Sequence, residues 1–349
     1  MTKPNKKCSE PMKVKYWSSA GLMLTYWCNA RCPSCYVCSS PQRSEWMEVG
    51  EALSLWRGLV EASPHGCRVH LTGGEPFGDW SRLIELCRRA QSEDLLKRHP
   101  RVKGESLGKV ETNAFWATDA AIVRQLVEDL AKAGMDKLCI SADPYHQQFV
   151  PIERCRLAAK IAGEVLGVNR VQVRWRDWLA DGFDTNALSD RQRAELMARY
   201  LLKGRERLGG RAVSSLAHLL PREIFKTVEE IAADGDKTPC KNALLRSKHV
   251  HIGPGGYVMP GTCAGVLLGH AGWQSIAEVW ETLVADWSDR PIVGALARAG
   301  PVALLPSAGQ AGFVPASQYA GKCHLCWDIR AHLAAAGAGG QELGPRWMY

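Results

Sequence analysis

The 349-residue chain is most informative first for what it lacks. No apolar run reaches the ~20 residues needed to cross a bilayer, so a membrane protein is not expected. The lysine-rich start, Met1 to Lys15, is followed by only a short apolar stretch, Gly21 to Trp27, with no small-residue cleavage site. That stretch reads as a buried strand rather than a signal peptide. There is no internal repeat and no nucleic-acid-binding motif. The net charge of +8 is spread along the chain, as on a solvated surface, although an anionic substrate stays open. With 46% hydrophobic and 23% charged residues, the composition is globular, not disordered or fibrous. The 13 tryptophans and an arginine-bearing strand hint at an aromatic-lined, anion-tolerant pocket, though tryptophans also build cores.

Cysteine is what the chain has in excess. Thirteen of them, an odd number without a secretory signal, argue against a disulfide framework and for metal binding in a reducing, cytoplasmic setting. They cluster at 28–38 and at 240–326. Cys67, Cys87, Cys139 and Cys155 fall where a small buried hydrophobe is usual.

From Gly21 to Val173, strand-like and helix-like segments alternate. Strands are expected at Gly21–Tyr26, Arg68–Thr72, Lys109–Thr112, Lys137–Ser141 and Val171–Trp175. Helices are expected at Glu45–Ala62, Trp80–Lys97, Asp119–Ala133 and Pro151–Leu166. Such alternation implies an α/β fold of parallel βα units. Beyond Asn186 the pattern loosens, with helical character at Arg191–Leu208 and Pro221–Ala233. After Asp236 come short extended pieces and Gly/Pro turns. The division expected is an arm at 1–20, a core at 21–235 and a cysteine-bearing unit at 236–349 whose Ala/Gly-rich end, Ala331 to Gly344, is frayed.

Cys28, Cys32 and Cys35 form CxxxCxxC directly after the first strand. Three thiolates on one loop can hold three corners of a cubane [4Fe-4S] cluster and leave one iron open. A zinc knuckle that also uses Cys38 is the competing structural reading. The second strand ends in Gly73-Gly74-Glu75-Pro76, where the glycines admit a ligand close to the backbone. Glu111-Thr112-Asn113 ends the third strand, and Ser141-Ala142-Asp143-Pro144-Tyr145-His146 ends the fourth. Ligands bind at this end of parallel strands. In Val171–Arg176, Gln172, Arg174 and Arg176 share one face; turned inward, the arginines need an anionic partner or a barrel acid.

This combination resembles the radical S-adenosylmethionine superfamily. The resemblance implies a partial (β/α)6 barrel of the TIM type. Its open iron would bind S-adenosylmethionine, and one electron would cleave the sulfonium to a 5′-deoxyadenosyl radical. It assigns Gly73, Gly74 and Glu75 to the methionine amino group and Asn113 to the same pocket. Ser141 or Asp143 would take the ribose, and Arg174 and Arg176 a carboxylate. Asp143, Tyr145 and His146 are the residues expected at the reacting centre, His146 as an acid or base. The sequence departs from the family at Ser34, where an aromatic commonly precedes the third cysteine.

Cys240, a hairpin pattern around Gly255-Gly256, Cys263, and Cys323-His324-Leu325-Cys326 resemble the twitch and SPASM extensions of that superfamily. Four cysteines favour the twitch form with one auxiliary [4Fe-4S] cluster, although Cys263 follows the turn glycines later than the family spacing. A zinc ribbon is the alternative. The function implied is hydrogen abstraction from a small-molecule or peptide substrate, ending in a net two-electron oxidation by dehydrogenation or cross-linking. An electron donor such as flavodoxin or ferredoxin would serve it. A maturase of a ribosomal peptide, an epimerase, and a non-catalytic iron–sulfur or zinc carrier are the other readings.

Overall fold

A computed structural model describes residues 14–96, 108–174, 185–202, 208–234 and 239–349. It shows a mixed α/β fold built on one eight-stranded sheet in the order β5-β4-β3-β2-β1-β6-β7-β8. The strands are β1 Ser19–Met23, β2 Arg68–Thr72, β3 Gly108–Thr112, β4 Lys137–Ser141, β5 Val171–Arg174, β6 His249–Ile252, β7 Tyr257–Pro260 and β8 Gly269–His270. β1 to β6 pair parallel with one another, whereas β7 runs antiparallel to β6 and β8 antiparallel to β7.

Helices α1 Val49–Ala62, α2 Trp80–Ser92, α3 Ala120–Lys132 and α4 Ile152–Leu166 alternate with the first five strands. α1 buries Ala52, Leu53, Leu55, Trp56 and Leu59, one stripe at helical spacing. Each large side chain there contributes roughly 1.5–3 kcal/mol. α3 starts where the Asp119 carboxylate accepts from the Ala121 and Ile122 amides. Alternate strand residues, such as Leu71 and Val110, are buried in the core outside the cavity lining, and their neighbours His70, Thr72, Lys109 and Glu111 face a central cavity.

The sixth parallel strand is not where a βα series would put it. β6 lies after residue 235 and pairs with the far edge of β1, Gly21 opposite His251. One core also includes buried side chains from both sides of 235, among them Leu22, Val250, Val279 and Leu325. The boundary read from irregular sequence is therefore crossed by the main sheet, because β6 carries the alternation of a strand that faces the cavity.

The Ala/Gly-rich end is packed rather than frayed. Helix Lys322–Ala335 runs through it, and the chain then folds back. The Leu267 amide donates to the Glu342 carbonyl, and Met348 is buried. The apolar residues after the glycines, Leu343, Trp347 and Met348, supply the contacts. Among the described residues no helix is long and apolar enough to cross a membrane.

Candidate functional site

The strands surround a cavity of about 950 Å³, lined by residues of the sequence motifs at their C-terminal ends. Cys28, Cys32 and Cys35 all line it. Their loop is held by Arg211, which donates to the Cys32 carbonyl at 2.8 Å and the Ser39 carbonyl at 2.7 Å. Burial pushes the Cys28 and Cys35 thiols up, while Arg211 pulls Cys35 back. Cys38 takes no part in the lining. Its backbone is left-handed (φ 56°), and its thiol donates to the Met348 carbonyl at 3.2 Å.

Gly73 and Gly74 line the cavity beneath that loop. A Cβ on Gly74 would stand 1.9 Å from the Trp27 carbonyl oxygen, and one on Gly73 2.5 Å from that of Thr25, so no side chain fits at either position. The Gly74 and Glu75 amides donate to those same two carbonyls, which locks the GGEP turn to the strand that leads into the cysteines.

Glu75 follows the two glycines. Its carboxylate is fully buried and outside the lining, and it accepts from the Phe77 amide, the Thr112 hydroxyl and the Asn113 amide at 2.7–3.2 Å. Burial raises its pKa to about 7 against those bonds. Its acid therefore positions the loop after β3. Asn113, so placed, lines the cavity and donates to Asn29 Oδ1 at 2.8 Å and to Cys28 Sγ at 3.6 Å.

After β4, Ser141, Asp143 and His146 reach the cavity. Asp143 Oδ2 and His146 Nδ1 are 2.6 Å apart, and Asp143 Oδ1 caps the Tyr145 and His146 amides. Burial opposes charge on both, yet each holds the other ionised, Asp143 low and His146 well above the usual histidine range. Tyr145 is a correction. It is fully buried in the core, and its hydroxyl donates to the Met197 carbonyl at 3.2 Å, away from the cavity.

Arg174 lines the cavity, but it is paired with a barrel acid: its Nη2 donates to Glu111 Oε1 at 2.8 Å. Lys109 donates to the same oxygen at 2.6 Å, and the Thr72 hydroxyl to Oε2 at 3.1 Å. Burial opposes ionisation of Glu111, but His70, Arg174 and Lys109 outweigh it and hold the carboxyl below its ordinary range. Burial pushes His70 itself down to about 3, so at neutral pH the compensating charge is that of Arg174 and Lys109. Arg176 lies outside the described residues.

Three lining residues had no role in the sequence reading: His70, His249 and His251. Their signal was alternation, since His249 and His251 must share one face of a strand. No tryptophan is among the described lining residues; the wall is cationic and histidine-rich, and buried tryptophans such as Trp17 and Trp56 serve the core.

Cys240, Cys263, Cys323 and Cys326 are brought together in the second region. Burial, then Cys326, Cys263 and Cys323, push the Cys240 thiol up to about 12. Arg330, buried beside Cys326 and Cys263, donates to the Ala264 carbonyl at 2.9 Å and the Tyr349 hydroxyl at 2.7 Å. A buried guanidinium suits a thiolate-bound group that carries net negative charge.

No protein-family model matches the chain, and no curated protein matches it. Among solved structures it is similar to BtrN in complex with AdoMet and 2-DOIA, at TM-score 0.47 and 14% identity over 85% of this chain and 91% of that one. It is similar to native anSMEcpe with bound AdoMet and Cp18Cys peptide, at 0.43 and 13% over 91% and 98%. It is also similar to Streptococcus suis SuiB bound to the precursor peptide SuiA, at 0.39 and 12% over 89% and 76%. All three scores lie below 0.5, so the fold rests on its own strand order and register.

Proposed function

We propose that this chain is a radical S-adenosylmethionine enzyme whose Cys28, Cys32 and Cys35 hold a [4Fe-4S] cluster with one open iron. The observation that carries the reading is the placement of these three thiols, without Cys38, on the wall of a cavity floored by Gly73 and Gly74. When bound and reduced, the cluster supplies the electron that cleaves S-adenosylmethionine to a 5′-deoxyadenosyl radical.

The chain's own groups bind and orient. Gly73 and Gly74 let the backbone approach the methionine end. Asn113 is held by Glu75 within reach of Cys28. Ser141 is the better candidate for the ribose, because the Asp143 carboxylate is spent on His146 and two amides. The His146–Asp143 pair stands at the cavity wall as a fixed charge pair that positions substrate or holds a proton. Lys109 and Arg174 give the wall a cationic character that suits a substrate carrying a carboxylate or similar anion, as a small molecule or within a peptide.

Cys240, Cys263, Cys323 and Cys326 would hold the auxiliary [4Fe-4S] cluster, with Arg330 offsetting its charge. A second cluster favours a net two-electron oxidation, with flavodoxin or ferredoxin as donor to the first. Iron analysis tests the reading. Reconstituted protein should contain about eight irons, and the Cys28/Cys32/Cys35→Ala variant about four. Zinc without iron in the wild type would refute it.

A further inference from the structure

The cavity holds a second set of ligating side chains, below the cysteine loop. In register, His70 of β2 and His251 of β6 flank Gly21 of β1, and His249 flanks Ser19 one row lower. A Cβ on Gly21 would stand 2.8 Å from His70 Nε2 and 2.9 Å from His251 Nε2. Glycine at this position is what lets the two rings converge over β1. His249 Nε2 is 3.4 Å from His251 Nε2, and one nitrogen from each of the three rings lies within 4.8 Å of the others.

We propose that His70, His249 and His251 form a three-histidine site for a divalent first-row transition ion, separate from both cysteine sets. A tetrahedral ion with metal–nitrogen bonds of ~2.0–2.1 Å places its nitrogens roughly 3.3 Å apart. The His249–His251 pair is already at that spacing, and a His70 nitrogen lies within 4.8 Å of both. The other ring nitrogens are supported as metal-bound histidines are. Ser19 Oγ is 2.7 Å from His249 Nδ1, and the Tyr36 hydroxyl lies beside His251, 3.3 Å from Nδ1 and 3.5 Å from Nε2. With the His249 Nδ1–H donated to Ser19, its Nε2 lone pair is left for the shared point.

Glu111 lies 3.8 Å from His70 Nε2 and brings negative charge to the site. Lys109 and Arg174 offset that charge, so the ion would favour an anionic fourth ligand. Three protein ligands leave that position open to the cavity, for water or for a carboxylate or carbonyl oxygen of the substrate. Tyr36 follows Cys35 directly, so one residue links the cysteine loop to the histidine set.

The site stands whether or not the cysteines carry clusters, and its test reads the ion rather than turnover. The full chain, reconstituted with iron and sulfide, is titrated with zinc and studied by metal analysis and zinc X-ray absorption. The expected result is about one zinc per chain with a nitrogen and oxygen shell at ~2.0–2.1 Å. His70→Gln and His251→Gln should each weaken zinc binding at least tenfold, and Ser19→Ala by ~10-fold through loss of ring support. Absence of bound zinc, or a wild-type shell dominated by sulfur at ~2.3 Å, overturns the proposal; this wild-type spectrum decides even if a variant fails to fold.

Discussion

The Cys38 thiol donates to the carbonyl of Met348 at 3.2 Å, across 310 positions of sequence. The contact turns Cys38 out of the cavity that Cys28, Cys32 and Cys35 line, and it docks the C-terminus against the back of the cysteine loop. Four cysteines within eleven residues are thereby divided into three that face a ligand and one that does not. Cys38→Ala should leave iron content and S-adenosylmethionine cleavage close to wild type. Cys28→Ala, Cys32→Ala and Cys35→Ala should each abolish cleavage. Loss of about four irons on Cys38→Ala would restore the four-cysteine reading.

The same contact makes the C-terminus structural. Met348 is buried with Tyr26, Met259 and Trp327. Met348→Ala should cost about 2–5 kcal/mol, read by chemical denaturation. A stability change within ~0.5 kcal/mol would mean that the tail does not pack there.

The GGEP turn supports a paired test. A Cβ on Gly74 collides with the Trp27 backbone, so Gly74→Ala should weaken S-adenosylmethionine binding severely and lower stability. Gly50, inside α1, has nothing within 4 Å of its Cβ position, and Gly50→Ala should stabilise by about 0.4–1 kcal/mol. Glu75→Gln disturbs an acceptor of three donors and should loosen Asn113, weakening S-adenosylmethionine binding while cluster iron stays in place. Calorimetric binding curves separate these outcomes.

Much of this was legible in sequence. The five βα strands were read to within a few residues because Val69, Leu71, Val110 and Ile140 supply alternating or continuous apolar runs at parallel-strand spacing. The cysteines and glycines were legible because their chemistry demands those residue types. What failed was pairing at long range. No local pattern shows that β6 joins β1, and so nothing in the sequence placed His249 and His251 on the cavity wall. Arg174 was seen to need an anion, but Glu111 could be named as that anion only once the register aligned β3, β4 and β5. Tyr145 follows the polar motif at the end of β4, yet at the 3-10 turn His146–Gln148 its ring lies in the core.

Glu111 holds the cationic wall together. Replacing it by alanine leaves Lys109 and Arg174 without their shared carboxylate and should cost about 1–3 kcal/mol. Arg174→Ala removes only one of the two cations and should cost less. Denaturation midpoints rank the two variants, and the reverse order would contradict the pairing.

Changing Cys323 and Cys326 to alanine should remove about half of the reconstituted iron, as two four-iron clusters require. The variant should still cleave S-adenosylmethionine, without forming oxidised product. An unchanged iron content would exclude these residues as cluster ligands.

The central claim is that Cys28, Cys32 and Cys35 equip this cavity for reductive cleavage of S-adenosylmethionine. It is tested most directly by incubating the reconstituted, reduced chain with S-adenosylmethionine and following 5′-deoxyadenosine by chromatography and mass spectrometry. The account predicts 5′-deoxyadenosine from the wild type and from Cys38→Ala, and none from Cys28→Ala. No 5′-deoxyadenosine from wild-type protein carrying about eight irons would contradict it.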